Sequence, residues 1–204
     1  MIRLGNRFMK RFSNMIRMKM VTCLALLYCW IPSTLSLAQD ADKLYPRSGV
    51  TITGKIIEMT PDRVVMAVRG NNQNFPVDDI IRIVYEGEPQ PLSRAKELTA
   101  GGQWDQAIES MKRVDPKSLE RAEVKADFDY YRGYLMAQLA LRGQGDAAAA
   151  AKRLVDYQKA NPQSHHFYDA SEALGQLAAS MGKVEAAAKY FSDMKSAAST
   201  ETKM

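Results

Sequence analysis

Apolar and polar residues alternate in short runs over residues 49–86. A period of two is typical of strands that bury one face, and the β-branched residues Val50 and Ile52 favour this structure. Turn-forming residues at 60–62 and 70–72 separate the runs. We therefore predict four or five short antiparallel strands that form a small β-barrel or sheet.

Beyond a proline-containing linker at residues 87–91, the pattern becomes helical and continues to residue 198. Proline and glycine are confined to its boundaries, where such residues end helices. Three of these glycines are each followed five residues later by alanine, and larger apolar residues come four and seven residues after that alanine. The pairs are Gly102 and Ala107, Gly145 and Ala150, and Gly182 and Ala187.

This arrangement resembles the turn and second helix of the tetratricopeptide repeat (TPR) family over residues 92–198. In that family, glycine ends the first helix and a small alanine lets the second helix approach it. The glycines are 43 and 37 residues apart, longer than the family period of about 34 residues. The resemblance implies a mainly α fold of about three antiparallel helical hairpins, preceded by the small β-barrel or sheet and followed by a disordered tail at 199–204.

The β-region also resembles Sm-like or SH3-like barrels. The resemblance depends on Val50, Gly54 and Ile56 in one strand and on the segment 75–80 in the last step. Sm-like barrels often bind RNA, and a surface that follows phosphates needs a clear excess of basic residues. Residues 47–88 contain five basic and six acidic side chains. We therefore predict a packing and docking module that binds no nucleic acid.

Basic residues are concentrated at the N-terminus. Six of the 28 Lys and Arg residues lie in the first 20 positions, which leaves 22 basic and 23 acidic residues in the remainder. An apolar run follows, and the small residues Ser36 and Ala38 precede a change to polar residues at Gln39. This order is typical of a secretory signal peptide. We predict a signal peptide over 1–38, cleaved between Ala38 and Gln39, then an N-terminal arm over 39–48.

The predicted location is the periplasm or the exterior, with only transient membrane contact through the signal peptide. An uncleaved membrane anchor is the alternative, although the uninterrupted apolar run is shorter than the ~20 residues that a bilayer span needs.

Few residue types suited to catalysis are present outside the signal peptide. Both cysteines, Cys23 and Cys29, lie within it. The two histidines, His165 and His166, are adjacent at the start of a predicted helix, where neighbouring side chains diverge by about 100°. The segment 143–148 formally fits a dinucleotide-binding pattern, but it follows a predicted helix rather than a strand. We therefore predict no catalytic residue, metal site, cofactor or small-molecule substrate, and no enzyme activity.

The TPR resemblance implies that successive first helices form a concave groove that binds a partner. Leu174 and Gly175 fix the register in the third repeat, whereas the register of the second repeat is uncertain by about two residues. The groove residues implied by this register are Asp169, Glu172 and Gln176, with Tyr130 and Arg132 from the second repeat.

Together these features predict an exported bacterial scaffold or adaptor that binds a protein or peptide without catalysis. The last predicted hairpin has no capping helix after it. The alternative is therefore a homo-oligomeric structural subunit of a cell-envelope assembly, which associates through apolar groups near Tyr190 and Phe191.

Overall fold

The computed structural model describes the backbone of residues 41–201 and the side chains of residues 41–194. The predicted signal peptide and its cleavage position at Ala38 and Gln39 lie outside the described residues. None of the helices in the described part is long and apolar enough to span a membrane.

Five antiparallel strands form one sheet with the order β4-β3-β2-β1-β5. A short 3₁₀ turn, Val77–Asp79, connects the last two strands. The strands are β1 (Asp42–Pro46), β2 (Ile52–Met59), β3 (Arg63–Val68), β4 (Asn71–Pro76) and β5 (Ile80–Val84).

The strand β1 corrects the predicted boundary of the sheet, because it lies within residues 39–48, the predicted N-terminal arm. It is an inner strand that pairs with both β2 and β5. A five-residue segment that begins with Asp42 and ends with Pro46 has a weak strand pattern. Its conformation is therefore fixed by partners distant in sequence.

Six helices follow the sheet, and consecutive helices pack against one another, the first with the second, the third with the fourth and the fifth with the sixth. The helix α1 begins inside the predicted linker, with a proline in its first turn, a favoured position. The helices are α1 (Gln90–Ala100), α2 (Trp104–Met111), α3 (Ala122–Leu141), α4 (Ala147–Ala160), α5 (Phe167–Ser180) and α6 (Val184–Glu201).

The prediction of a mainly α fold with about three TPR-like hairpins is wrong. The described part of the chain is mixed α/β, 55% helical and 19% strand, with a five-stranded antiparallel sheet followed by six helices. Leu44 and Met66 from the sheet belong to the same buried core as Leu92 and Leu174 from the helices. Because the sheet shares the main core, it is an integral layer of the fold rather than a small module attached to a helical array.

One glycine of the sequence repeat is also misaligned. The turns that follow α1, α3 and α5 contain glycines with positive φ at Gly102 (69°), Gly143 (75°) and Gly182 (71°). Gly145, the predicted equivalent, instead packs on α3, where an added Cβ would lie 3.3 Å from the Ala140 nitrogen. The polar Asp146 then caps α4 by accepting hydrogen bonds from two backbone amides.

Glycine also permits close packing of helices α5 and α6. A Cβ added at Gly175 would lie 2.7 Å from the Phe191 ring, which is too close for non-bonded carbon atoms. The alanines that the repeat pattern selects, Ala107, Ala150 and Ala187, are all buried. The helix α6 continues to Glu201, so residues 199–201 of the predicted disordered tail are helical.

Candidate functional site

A groove of about 480 Å³ lies between the sheet and the helices. We call it the groove throughout. Strand β5 and the residue after β1, Arg47, form one side, and residues of α1, α2, α3 and α5, together with His166 before α5, form the rest. A cleft of this size, with several polar groups, is typical of ligand sites.

Aromatic rings form one wall of the groove. The Tyr134 ring centroid is 5.6 Å from that of Tyr130 and 6.0 Å from that of Trp104. Burial raises the pKa of Tyr130 well above its usual value, and the nearby Asp169 carboxylate raises it further. The Tyr130 phenol is therefore neutral at physiological pH.

The residues of α5 that line the groove include polar side chains and carry negative charge. Asp169 Oδ2 lies 3.1 Å from His166 Nδ1. Gln176 Nε2 donates a hydrogen bond of 3.1 Å to Glu172 Oε1. Across the groove, the Arg47 Nε donates to the backbone oxygen of Asp78 at 2.6 Å. The charged side chains that line the groove are therefore two carboxylates and one guanidinium.

Four of the five residues implied by the TPR register line this groove: Tyr130, Asp169, Glu172 and Gln176. Arg132 does not, and it lines a separate cavity of about 320 Å³. Both Tyr130 and Arg132 lie on α3, and two residues along a helix correspond to a rotation of about 200°. The two side chains therefore occupy opposite faces of α3.

Sequence reasoning missed the groove residues Trp104, Tyr134 and His166. The signal for Tyr134 was its spacing of four residues from Tyr130, which places both on one helix face. No comparable pattern singles out Trp104, because its neighbours in the groove come from other helices.

A buried ionic cluster joins the sheet to α1 and α3. Lys96 Nζ lies 2.5 Å from Glu88 Oε2 and 2.6 Å from Asp127 Oδ2. It also donates a hydrogen bond of 3.0 Å to the backbone oxygen of Ile83. Tyr85 Oη donates to Asp127 Oδ1 at 3.5 Å. We call Lys96, Glu88, Asp127 and Tyr85 the Lys96 cluster.

The negative charge of the Lys96 cluster is not fully compensated. Burial raises the pKa of Glu88, and the neighbouring Lys96 ammonium offsets this only in part. One ammonium here faces two carboxylates. Buried charge without a full set of partners is costly, so this cluster is a place where another positive group would be stabilised.

The two histidines lie beside this cluster. They precede α5 and are not within it, since the helix begins at Phe167. Their ring centroids are 3.8 Å apart with an interplanar angle of 37°. The expectation that neighbouring side chains diverge by about 100° is therefore wrong here, because that angle applies only inside a helix.

Both histidines are buried, with exposed fractions of 2% for His165 and 5% for His166. Burial lowers the pKa of His165 well below its usual value, and His166 and Lys96 lower it further. Among the described residues, His165, His166 and Asp127 form the group whose ligand atoms come within 4.8 Å of one another.

Another buried carboxylate, that of Asp42, forms what we call the Asp42 junction with Arg121. Asp42 Oδ1 and Oδ2 accept hydrogen bonds of 2.5 and 3.1 Å from the Arg121 guanidinium. The backbone nitrogens of Ile56 and Glu86 also donate to it, at 2.9 and 3.0 Å. Burial by itself raises the pKa of Asp42, but the hydrogen bonds from Arg121 and the two amides outweigh it, so the pKa is lowered.

Comparison with protein-family models, with curated proteins and with solved structures gives no match. The function is therefore inferred from the groove and the buried groups themselves.

Proposed function

We propose that this chain is an exported binding protein, without catalysis, that holds a segment of a protein or peptide in the groove. The observation that supports this proposal best is the meeting of Tyr130, Asp169, Glu172 and Gln176 in one cleft with the rings of Trp104 and Tyr134. The groove thus brings together four residues that the TPR register implied as binding positions. It also contains two aromatic rings that this register did not imply.

The chemistry of the groove favours a segment with a Lys or Arg side chain. Two of its charged side chains are acidic, Asp169 and Glu172, and one is basic, Arg47. Aromatic faces attract cations, by about 0.5–1 kcal/mol at exposed sites. A basic side chain that reaches between Tyr134 and Glu172 gains both interactions, whereas an acidic one meets like charge.

Export follows from the predicted signal peptide. The measurement is cell fractionation followed by N-terminal sequencing of the protein, with Gln39 expected as the first residue. A chain that stays in the membrane fraction with its N-terminus intact would support the anchor alternative instead.

The binding proposal is tested with a randomised decapeptide library displayed on phage and selected on the immobilised full chain. We expect the selected peptides to be rich in Lys and Arg. Their binding should fall at least fivefold on the Glu172→Lys variant, measured by fluorescence anisotropy with labelled copies.

The matched control is Arg132→Glu, which reverses a charge on the opposite face of α3. This variant should bind the selected peptides as the parent does. Selected peptides without basic residues, or an equal loss of binding in both variants, would refute the groove assignment.

Self-association as a structural subunit is the second candidate, and exposed apolar groups on α6 favour it. Val184 is 68% exposed and Phe191 is 42% exposed. Because the Phe191 ring packs on Gly175, Val184→Glu is the cleaner probe. If this candidate holds, sedimentation shows oligomers of the parent that dissociate in the variant. A monomeric parent at all concentrations would exclude it.

A further inference from the structure

We propose that Asp127, His165 and His166 form a binding site for one divalent metal ion of the zinc type. The proposal goes beyond the binding of a peptide in the groove and does not depend on it. Two imidazoles and one carboxylate are a donor set that Zn²⁺ accepts, with water or another group in the remaining position.

The contacts of the imidazoles fix which nitrogens are available. His165 Nδ1 lies 3.1 Å from Met59 Sδ, and His166 Nδ1 lies 3.1 Å from Asp169 Oδ2. A thioether sulfur and a carboxylate only accept hydrogen bonds, so Nδ1 carries a proton in both rings, and the lone pair that can bind an ion is that of Nε2.

Neither of these lone pairs is used. Within the described part of the chain, His165 Nε2 and His166 Nε2 are buried and have no hydrogen-bond partner. Buried polar atoms without a partner are rare and costly. A bound ion would satisfy both atoms, and the bond from His166 Nδ1 to Asp169 is the kind of outer contact that orients metal-ligating histidines.

Asp127 is held closely at one oxygen, whereas the other oxygen accepts only a long hydrogen bond of 3.5 Å from Tyr85 Oη. Oδ2 faces Lys96, whereas Oδ1 lies 3.8 Å from His166 Nε2. That distance is too long for a hydrogen bond. It is close to the ~3.4 Å that separates two ligand atoms bound tetrahedrally to one zinc ion at about 2.05 Å.

Binding requires a limited rearrangement. The ligand atoms of the three residues now lie within 4.8 Å of one another, so a pair at that limit must close by about 1.4 Å to reach that ~3.4 Å spacing. Each imidazole must also direct its lone pair along its ring plane. The two rings, now tilted by 37°, must therefore open relative to one another.

Charge and access both favour a cation. Lys96 is the ammonium that offsets Glu88 and Asp127, and Asp169 adds a third carboxylate through His166. A divalent ion compensates this excess of negative charge. His166 lines the groove, which gives the ion a path to the site.

The experiment uses the full chain without an affinity tag, freed of metal with a chelator. Zn²⁺ is titrated by calorimetry in competition with a chelator of known affinity, and Co²⁺ is titrated by visible absorption, which reports the coordination geometry. We expect one ion per chain, and a higher melting temperature in the presence of Zn²⁺.

Three variants remove ligands: His165→Gln, His166→Gln and Asp127→Asn. Each should weaken Zn²⁺ binding more than tenfold and abolish the absorption of bound Co²⁺. Asp169→Asn, which removes the partner of His166 Nδ1, should weaken it about tenfold. Circular dichroism without metal checks folding, and His165→Gln carries the test if Asp127→Asn does not fold, because the carboxylates that pair with Lys96 are those of Glu88 and Asp127, which His165→Gln leaves in place.

Two controls separate this site from other sources of binding. Asp129→Asn changes an exposed carboxylate on the same helix and should bind Zn²⁺ as the parent does. A variant with Cys23→Ser and Cys29→Ser removes the only thiols of the chain, and it should also bind as the parent does. Absence of one-to-one binding, equal affinity in the parent and His165→Gln, or loss of binding in the cysteine variant would overturn the proposal.

Discussion

The Asp42 junction and the Lys96 cluster are two buried polar centres, and both tie the sheet to the helices. At the Asp42 junction, one carboxylate receives two bonds from Arg121 and two from backbone amides. At the Lys96 cluster, one ammonium serves two carboxylates, and two imidazole nitrogens beside it have no partner among the described residues.

The pKa shifts of Asp42 and Glu88 reflect this difference in hydrogen bonding and charge compensation. Compensation lowers the pKa of Asp42 despite burial, whereas burial prevails at Glu88 and raises its pKa. A buried polar centre whose bonds are complete serves the fold. A buried polar centre whose bonds are incomplete lowers the stability of the fold. For this reason we place the further binding site beside the Lys96 cluster rather than at the Asp42 junction.

The largest effect is expected from Lys96→Met. This change leaves the Glu88 and Asp127 carboxylates buried without their cation, and the free energy of unfolding should fall by about 3–5 kcal/mol. The measurement is urea denaturation at pH 7. The control is Lys152→Met, which removes an equally short ion pair, to Asp156, from a side chain that is 78% exposed. It should cause no measurable loss, and a similar loss in both variants would contradict the prediction.

A smaller effect is expected from Asp42→Asn. The amide nitrogen cannot accept the bonds that one carboxylate oxygen accepts, but Arg121 is partly exposed and can turn to water. The free energy of unfolding should fall by about 2–3 kcal/mol. Asp79→Asn, at an exposed carboxylate beside β5, is the control and should be neutral. A loss greater than that of Lys96→Met would reverse our ranking of the two centres.

Arg121→Lys should cost less still. Lysine keeps the positive charge but cannot donate two parallel bonds to Asp42, so we expect a loss of about 1 kcal/mol. The double variant with Asp42→Asn measures the coupling between the two residues. Independent, additive effects would show that the bidentate contact contributes nothing of its own.

The smallest effect is expected in the dependence of stability on pH. The raised pKa of Glu88 means that the folded state holds a proton that the unfolded state releases, so this group lowers stability as pH rises from 4.5 through the folded-state pKa. Asp42, with its lowered pKa, acts in the opposite direction and stabilises the protein above pH 3.8, an effect lost on acidification below that value. We measure the unfolding midpoint as a function of pH. In Glu88→Gln, the decrease in stability above pH 4.5 should disappear. In Asp42→Asn, the loss of stability below pH 3.8 should disappear. Curves parallel to that of the parent would refute this assignment.

Local pattern predicted two of the inner strands of the sheet well. The runs of alternating residues at 52–59 and 63–68 became β2 and β3, because their own side chains decide which face is buried. The strand β1 could not be found in this way. Its pairing with β2 and β5, and the burial of Asp42, depend on residues 8 to 79 positions away in the sequence.

Sequence spacing could predict which groove residues lie together only when they belong to the same helix. The positions Asp169, Glu172 and Gln176 follow helical spacing on α5, and they do share the groove with Tyr130. The Lys96 cluster combines two loop residues, Tyr85 and Glu88, with residues of two helices, and its proximity to His166 arises only from packing.

The sequence by itself determined where helices and most strands form, because period, glycine and proline act over a few residues. It also determined which residues of α5 share a face. Only the tertiary structure decided that the sheet joins the helical core, that Asp42 meets Arg121, and that Asp127 lies beside two adjoining histidines. The physical reason is that burial and ion pairing depend on distance in space, and residues far apart in the chain come together only when the whole core closes.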